Sequence, residues 1–330
     1  MITSHTVYSS AIPIRIALSK NLTSYQVNFH NVFRLNQKKL FAYDLFHDYK
    51  KIFNSLEKKV QVKAYSIAEK QCRKRFGGEI GIDMYYSKKS AYSGITKKRV
   101  LKNNKKKKIL IAAHCFLDNP HPYGIESIFC DFYEWLDYLG KISKKTNYDW
   151  YIKTHPDFHK KTHALINQFI SKYPNITLLP SHTSHHNIIS EGIGCVLTVH
   201  GTIAWEYAYF KIPAICASQN NPHINFDFAY HAKNRRDLTY AIKNFQKLKL
   251  NFSKENIYKF YFMHNIYKQS NWMIKDLDKN LRKIGGYKNI SSMEFYKFWL
   301  KYRTNHMNNK THLQLSNFLN TSDFFISREI

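Results

Sequence analysis

The chain has 330 residues, 44% of them hydrophobic, which fills one large domain or two ordinary ones and excludes a disordered polymer. Its formal net charge of +28, from 51 Lys+Arg against 23 Asp+Glu, fits an anionic partner (nucleic acid, an anionic membrane face or a phosphorylated substrate) or, since lysine and asparagine are abundant throughout, the amino-acid usage of an AT-rich genome. Five cysteines with no CxxC pair suit a reducing cytoplasm, and no apolar run approaches the ~18 residues of a membrane span, so any membrane contact is expected to be peripheral.

Taken in chain order, residues 2–8 read as a strand, 11–19 as a short helix admitted by Pro13 in its first turn, and 22–29 as a second strand. Residues 43–56 and 60–75 read as helices rich in Tyr, Phe and Lys, followed by a glycine-containing loop over 76–81. The stretch 97–108 holds eight Lys or Arg in twelve residues and no apolar face, which marks it as a linker. The apolar run 109–113 is of buried-strand type, and after a loop over 114–124 a helix is expected from 126 to 144, with Ile128, Phe132, Trp135, Leu136 and Leu139 on one face.

The pattern then repeats. Strands are expected at 149–153, 176–179, 194–199 and 213–217, with helices at 164–173 and 203–210 between them. Helical patterns continue over 238–248, 254–278 and 293–302, and the polar tail beyond His306 is expected to fray. The helix over 293–302 mixes aromatics with cations, as a helix lying on an anionic membrane does, or as a core helix packing on a sheet does.

Strands alternating with helices imply parallel βαβ units in a doubly wound α/β sheet, which binds ligands beyond the carboxyl ends of its strands. Those ends carry His114, His155, Ser181, His182, Thr198, His200, Gly201 and Thr202. The turn at 200–202 presents backbone N–H groups and a hydroxyl at the start of a helix, a place that suits a phosphate, and Glu206 one turn on is placed to accept from a sugar hydroxyl. In Lys153-Thr154-His155-Pro156 a histidine directly follows a strand, where it can donate to a phosphate oxygen. Ser181 and Thr183 are further donors to a phosphate, or, with Ser184, caps of the short helix that follows.

Asp118 and His121, in the rigid loop Asp118-Asn119-Pro120-His121-Pro122-Tyr123-Gly124, are the candidates for general base chemistry. The histidines at 155, 159 and 163 invite a metal reading, but Pro156 interrupts any helix carrying all three and no carboxylate or cysteine completes a ligand set; no metal site is expected. GxSxG and HExxH motifs are both missing.

At that loop, at Phe129-Cys130-Asp131-Phe132-Tyr133-Glu134-Trp135-Leu136, at Trp150-Tyr151-Ile152-Lys153-Thr154-His155-Pro156 and over residues 196–213, the sequence resembles bacterial capsule and lipopolysaccharide biosynthesis glycosyltransferases of the GT-B type. That group includes the capsule Kdo transferases, with polysialyltransferases and CDP-glycerol polyolphosphotransferases as more distant kin. The resemblance covers about half the chain, best between residues 109 and 231. It implies two Rossmann-like domains with parallel sheets: an acceptor-side domain over 1–100, short or truncated for the family, and a nucleotide-sugar-binding domain over 105–245, with a helical segment over 246–330. It implies that His155 of the His-Pro pair, and Thr202 with Gly201, hold the donor's phosphate, the rest of the donor set being Ser181, Thr183, Thr198, His200 and Glu206. It also implies transfer without a metal or cofactor, from a CMP- or UDP-sugar to a polysaccharide or lipid-linked acceptor, at the cytoplasmic face of the inner membrane. A CDP-polyol phosphotransferase is the alternative within enzymes. A basic nucleic-acid-binding protein is the alternative outside them, against which the sequence lacks RNP, KH and zinc-finger signatures.

Overall fold

A computed structural model describes residues 1–6, 10–41, 47–83, 87, 89–116, 127–155, 160–267, 272–274, 277–286, 289–306 and 310–326. The chain divides into two compact units, one formed by Met1–Ala64, Asp83–Tyr86 and Tyr261–Ile330, the other by Tyr65–Ile82 and Ser87–Phe260.

The first unit holds β1 (Ile2–Thr3), α1 (Ala11–Ser19), β2 (Ser24–Val27), β3 (Val32–Leu35) and α2 (Tyr49–Ser55). β2 pairs in parallel with β1 and antiparallel with β3, so the parallel sheet expected of this region is a three-stranded one with an antiparallel edge. The helix α3 (Lys58–Phe76) carries the chain from the first unit into the second.

The second unit begins its sheet at β4 (Lys108–Ala112), followed by α4 (Phe132–Ser143), β5 (Asp149–Lys153), α5 (Lys160–Lys172), β6 (Ile176–Leu178), α6 (His185–Ser190), β7 (Cys195–Thr198), α7 (Ile203–Tyr209), β8 (Ala214–Cys216), β9 (Tyr230–His231) and α8 (Arg235–Lys243). The strands form one six-stranded sheet in the order β6-β5-β4-β7-β8-β9, every neighbouring pair parallel, which is the α/β class expected from the alternation. The winding reverses between β4 and β7, so the crevice at their carboxyl ends is the topological switch point.

All five residues of β5 are buried, as a strand covered on both faces requires. On one face Ile109, Ile111, Trp150, Ile152, Leu197 and Ile215 pack against α4, α5 and α8. α7 covers β7 and β8 on the other. α4 starts later than its apolar periodicity proposes because Asp131 caps it, accepting from the Glu134 amide at 2.7 Å, while the Glu134 side chain accepts from the amide of the preceding residue, Cys130, at 2.8 Å.

Four sequence expectations are corrected. The basic stretch 97–108 lies inside the second unit and does not mark its boundary. The amides of Val100 and Leu101 donate to the Glu191 carboxylate, the Lys102 amide donates to the Tyr151 hydroxyl, and Lys108 already belongs to β4. The helical pattern over 254–278 breaks into α9 (Lys254–Phe262), a π turn over Met263–Tyr267 and α10 (Leu277–Lys283). Between them Trp272 is buried with its indole N–H on the Asn28 carbonyl at 2.8 Å. The segment 246–330 is not a separate appendage: from Tyr261 on it is part of the unit that holds the N-terminal strands. The polar tail expected to fray is also ordered over residues 310–326. After α11 (Met293–His306) it forms α12 (Lys310–Asn320), buries Phe318 and Ile326 with Val32 and Trp272, and adds to β3 through the Arg34 amide on the Phe324 carbonyl at 2.8 Å. Burial of those apolar side chains outweighs the tail's polar composition.

On α11, Phe295 is in a core with Ile274, Leu277 and Leu281, whereas Met293, Tyr296 and Leu300 are exposed. Among the described residues no helix is long and apolar enough to cross a membrane.

Candidate functional site

β5 ends on Lys153, the register partner of Ala112 in β4, and its side chain points inward at 3% exposure. The ammonium donates to the Thr154 carbonyl at 3.3 Å. Burial lowers its pKa from 10.5 to about 8, with Glu206 acting in the opposite direction. A buried lysine at the carboxyl edge of a parallel sheet is a strained choice of residue, and such choices concentrate where a ligand makes use of them.

Glu206, in the first turn of α7, is the hub beside it. One carboxylate oxygen accepts from the Arg75 guanidinium at 2.7 Å and from the Thr202 hydroxyl at 3.3 Å; the other accepts from the Tyr92 hydroxyl at 2.6 Å. The ion pair is enclosed, with side-chain exposures of 13% for Arg75 and 4% for Glu206. The guanidinium lies 5.9 Å from the Tyr92 ring centre and 5.6 Å from that of Trp205. Burial first, and Glu206 next, hold the Tyr92 phenol well above its usual range, so it donates and does not ionise. The sugar-hydroxyl role expected for Glu206 is therefore taken by three protein donors.

His185, at the start of α6, shares a 2.8 Å hydrogen bond between Nδ1 and the Tyr207 hydroxyl. Burial holds its imidazole well below the usual range, and Lys153, His155, Arg75 and His186 each push further in the same direction. The positive charge of Lys153 and of Arg75 is thus felt at His185 from β5 and from α3. Within this group the cations Arg75 and Lys153 stand against the single carboxylate of Glu206.

At the switch point, His114 follows β4 and stacks on Phe132 with ring centres 4.4 Å apart, and His200 lies 4.8 Å away. Desolvation, then His200, keeps His114 neutral, its pKa well below the usual range. The Val199 amide donates to its Nε2 at 3.0 Å, so that nitrogen carries the lone pair. The Thr198 hydroxyl sits 2.9 Å from the same nitrogen and accepts from the Gly201 amide at 3.1 Å. Thr198, at 1% exposure, therefore builds the turn from within and is not displayed at its surface. A Cβ at Gly201 would fall 2.6 Å from that hydroxyl, which is why glycine occupies the position.

Of the residues read from the sequence, the structure brings His155, half-buried, to the cationic group, and His200 and Gly201 to the adjoining turn. Thr202 starts α7 in a helical conformation with its hydroxyl on Glu206, not on a backbone amide. Ser181 is half-buried in the turn after β6, and Thr183 is 5% exposed with its amide on the Pro180 carbonyl at 3.0 Å. Ser184 is the cap of α6, accepting from the His186 amide at 3.3 Å. Asp118 and His121 lie outside the described residues. The sequence does not single out Arg75 or Tyr92, offers His185 only with His182 and His186 as a metal cluster that is discounted, and treats Lys153 only as a neighbour of His155. A lysine closing an otherwise apolar strand is a legible signal for the last. For Arg75 no local signal exists, since it meets Glu206 from 131 residues away.

No protein-family model and no curated protein matches this sequence. Among solved structures, the chain is similar to the KpsC beta Kdo 2,4 transferase of Thermosulfurimonas dismutans, at 8% identity and TM-score 0.45, over 81% of this chain and 78% of that one. It is similar to a UDP-GlcNAc 2-epimerase from Neisseria meningitidis bound to UDP-GlcNAc, at 14% identity and TM-score 0.33, over 63% and 48% of the two chains. The wall teichoic acid polymerase TagF follows at 16% identity and TM-score 0.31, over 56% and 46%.

Proposed function

We propose that the chain is a glycosyltransferase that moves a sugar from a CMP- or UDP-activated donor to a surface polysaccharide or lipid-linked acceptor. The observation that carries this reading is the surplus of enclosed positive charge at the carboxyl edge of the sheet, where Lys153 and Arg75 outnumber Glu206 beside His155. A phosphate leaving with its nucleotide gains charge as the sugar departs, and fixed cations in a low-dielectric setting stabilise that charge without reorganising. His155 donates to the phosphate, and Glu206 holds Arg75 and Thr202 in place. Asp118 or His121 activates the acceptor hydroxyl. In this reading transfer needs neither a metal nor a cofactor. The net charge of +28 favours approach to anionic lipid and lipid-linked phosphate, so the protein works peripherally at the inner membrane face.

Thermal shift with CMP, CDP, UDP and an RNA oligomer tests this. The expected result is stabilisation by a mononucleotide, about 2.7 kcal/mol when the ligand is at 100 times its Kd, fading in His155→Ala and Thr202→Ala. Stabilisation by RNA with none from any mononucleotide would instead support the nucleic-acid reading. CDP alone among the nucleotides would favour a CDP-polyol phosphotransferase.

A further inference from the structure

The second unit contains a further cluster that the transfer reaction does not use. Cys216, the last residue of β8, and His231 of β9 are register partners in adjacent parallel strands, so their side chains leave the same face of the sheet. His223, in the connection between those strands, turns its Nδ1 to the Nε2 of His231 at 3.1 Å. The thiol sulfur and the two imidazoles offer ligand atoms that all lie within 4.8 Å of one another. We propose that Cys216, His223 and His231 form a binding site for a zinc-class transition-metal ion.

The chemistry of the set fits. Bond lengths of about 2.0–2.1 Å to imidazole nitrogen and about 2.3 Å to thiolate, in tetrahedral geometry, put ligand atoms roughly 3.3–3.6 Å apart. The two nitrogens are already within a few tenths of an ångström of that spacing, and the sulfur needs only a rotamer-scale adjustment. One thiolate and two imidazoles are the ligand types of a Cys-His-His zinc site with a fourth position left for water or another ligand.

The outer shell fits too. Metal-bound histidines turn their remaining ring nitrogen to a backbone carbonyl or a carboxylate. His231 presents Nδ1 to the Ser218 carbonyl at 3.4 Å, while the Nε2 of His223 is buried near the Gly201 backbone without a hydrogen bond of its own among the described residues. In the metal-free protein one proton lies between the facing nitrogens. His231 carries its proton on Nδ1, towards the Ser218 carbonyl, so the shared proton belongs to His223 Nδ1; on metal binding it moves to His223 Nε2, the Cys216 thiol releases its proton to solvent, and the thiolate and both facing nitrogens bond the ion. Cys216 and His223 have 0% exposure, so the ion enters while the chain folds. Because Gly201 borders His223, the ion stiffens the 199–201 turn from behind, yet the site does not depend on the transferase reading.

The full chain, expressed in zinc-supplemented medium and gel-filtered, is analysed for metal by mass spectrometry. About one zinc per chain is expected in the wild type and in His312→Asn, an exposed histidine of the other unit, with under about a tenth in Cys216→Ser and His231→Asn. Wild type expressed in cobalt(II)-supplemented, zinc-depleted medium, so that the ion is present while the chain folds, should give a thiolate charge-transfer band. If the variants fail to fold, that spectrum decides: the band supports the site, and its absence overturns it. Zinc well below one per chain, or zinc retained undiminished by folded Cys216→Ser, also overturns it, leaving a core thiol beside a histidine pair.

Discussion

Replacing Lys153 by methionine should make the protein more stable while weakening its hold on phosphate. Methionine keeps most of the buried stem and removes the ammonium. The fall of the Lys153 pKa from 10.5 to about 8 measures how much the enclosed site disfavours the charged form, including the partial compensation by Glu206. At about 1.4 kcal/mol per pH unit this is about 3 kcal/mol at pH 7, an upper bound for the gain. The cost is fully present below pH 8, where folded and unfolded chains both carry the proton. As pH rises from 8 towards 10.5 the folded chain gives up its proton first, so wild-type stability rises relative to the variant. Urea denaturation of both proteins should show the methionine variant ahead by up to about 3 kcal/mol at pH 7 and by only about 1 kcal/mol at pH 10. Titrations common to both chains cancel in that difference. A pH-independent gap, or a variant less stable at pH 7, refutes the burial argument. A variant that gains stability yet keeps undiminished mononucleotide binding removes Lys153 from the phosphate site.

Arg75→Met should act in the opposite sense, costing about 3–5 kcal/mol because it strands the Glu206 carboxylate in an enclosed site; denaturant midpoints with unchanged m-values would show it. Gly140→Ala places a Cβ 2.5 Å from the Tyr173 ring where α4 meets the neighbouring helix, and overpacking of this kind should cost about 1–3 kcal/mol in the same assay. Thiol labelling of the native protein should modify exposed Cys130 quickly and leave Cys195 and Cys216 untouched until unfolding, because burial raises both thiols far above the usual range. Equal labelling of all three would contradict the burial of β7 and β8.

The sequence by itself determined five of the six described strands of the second unit's sheet, β9 (Tyr230–His231) being the one it did not mark. Apolar runs such as Ile109-Leu110-Ile111 and Trp150-Tyr151-Ile152, separated by helical periodicity, define buried parallel strands through local spacing alone. β5 runs over the residues so read, and so does α1. Because strand polarity is fixed by that alternation, His155, His200 and Gly201 were legible as residues of one sheet edge. Tertiary structure decided what local pattern does not encode. Whether the Glu206 carboxylate faces a ligand or Arg75 and Tyr92 depends on a helix more than a hundred residues away. Composition marked 97–108 as a linker, but a single carboxylate, Glu191, binds its amides into the second unit. The polar tail of the chain is ordered because a few apolar side chains, Phe318 and Ile326 among them, find Val32 at the other end of the sequence. Periodicity reports which face of an element is apolar. Which partner covers that face, and which charge meets which, is settled only when distant segments compete for the same interior.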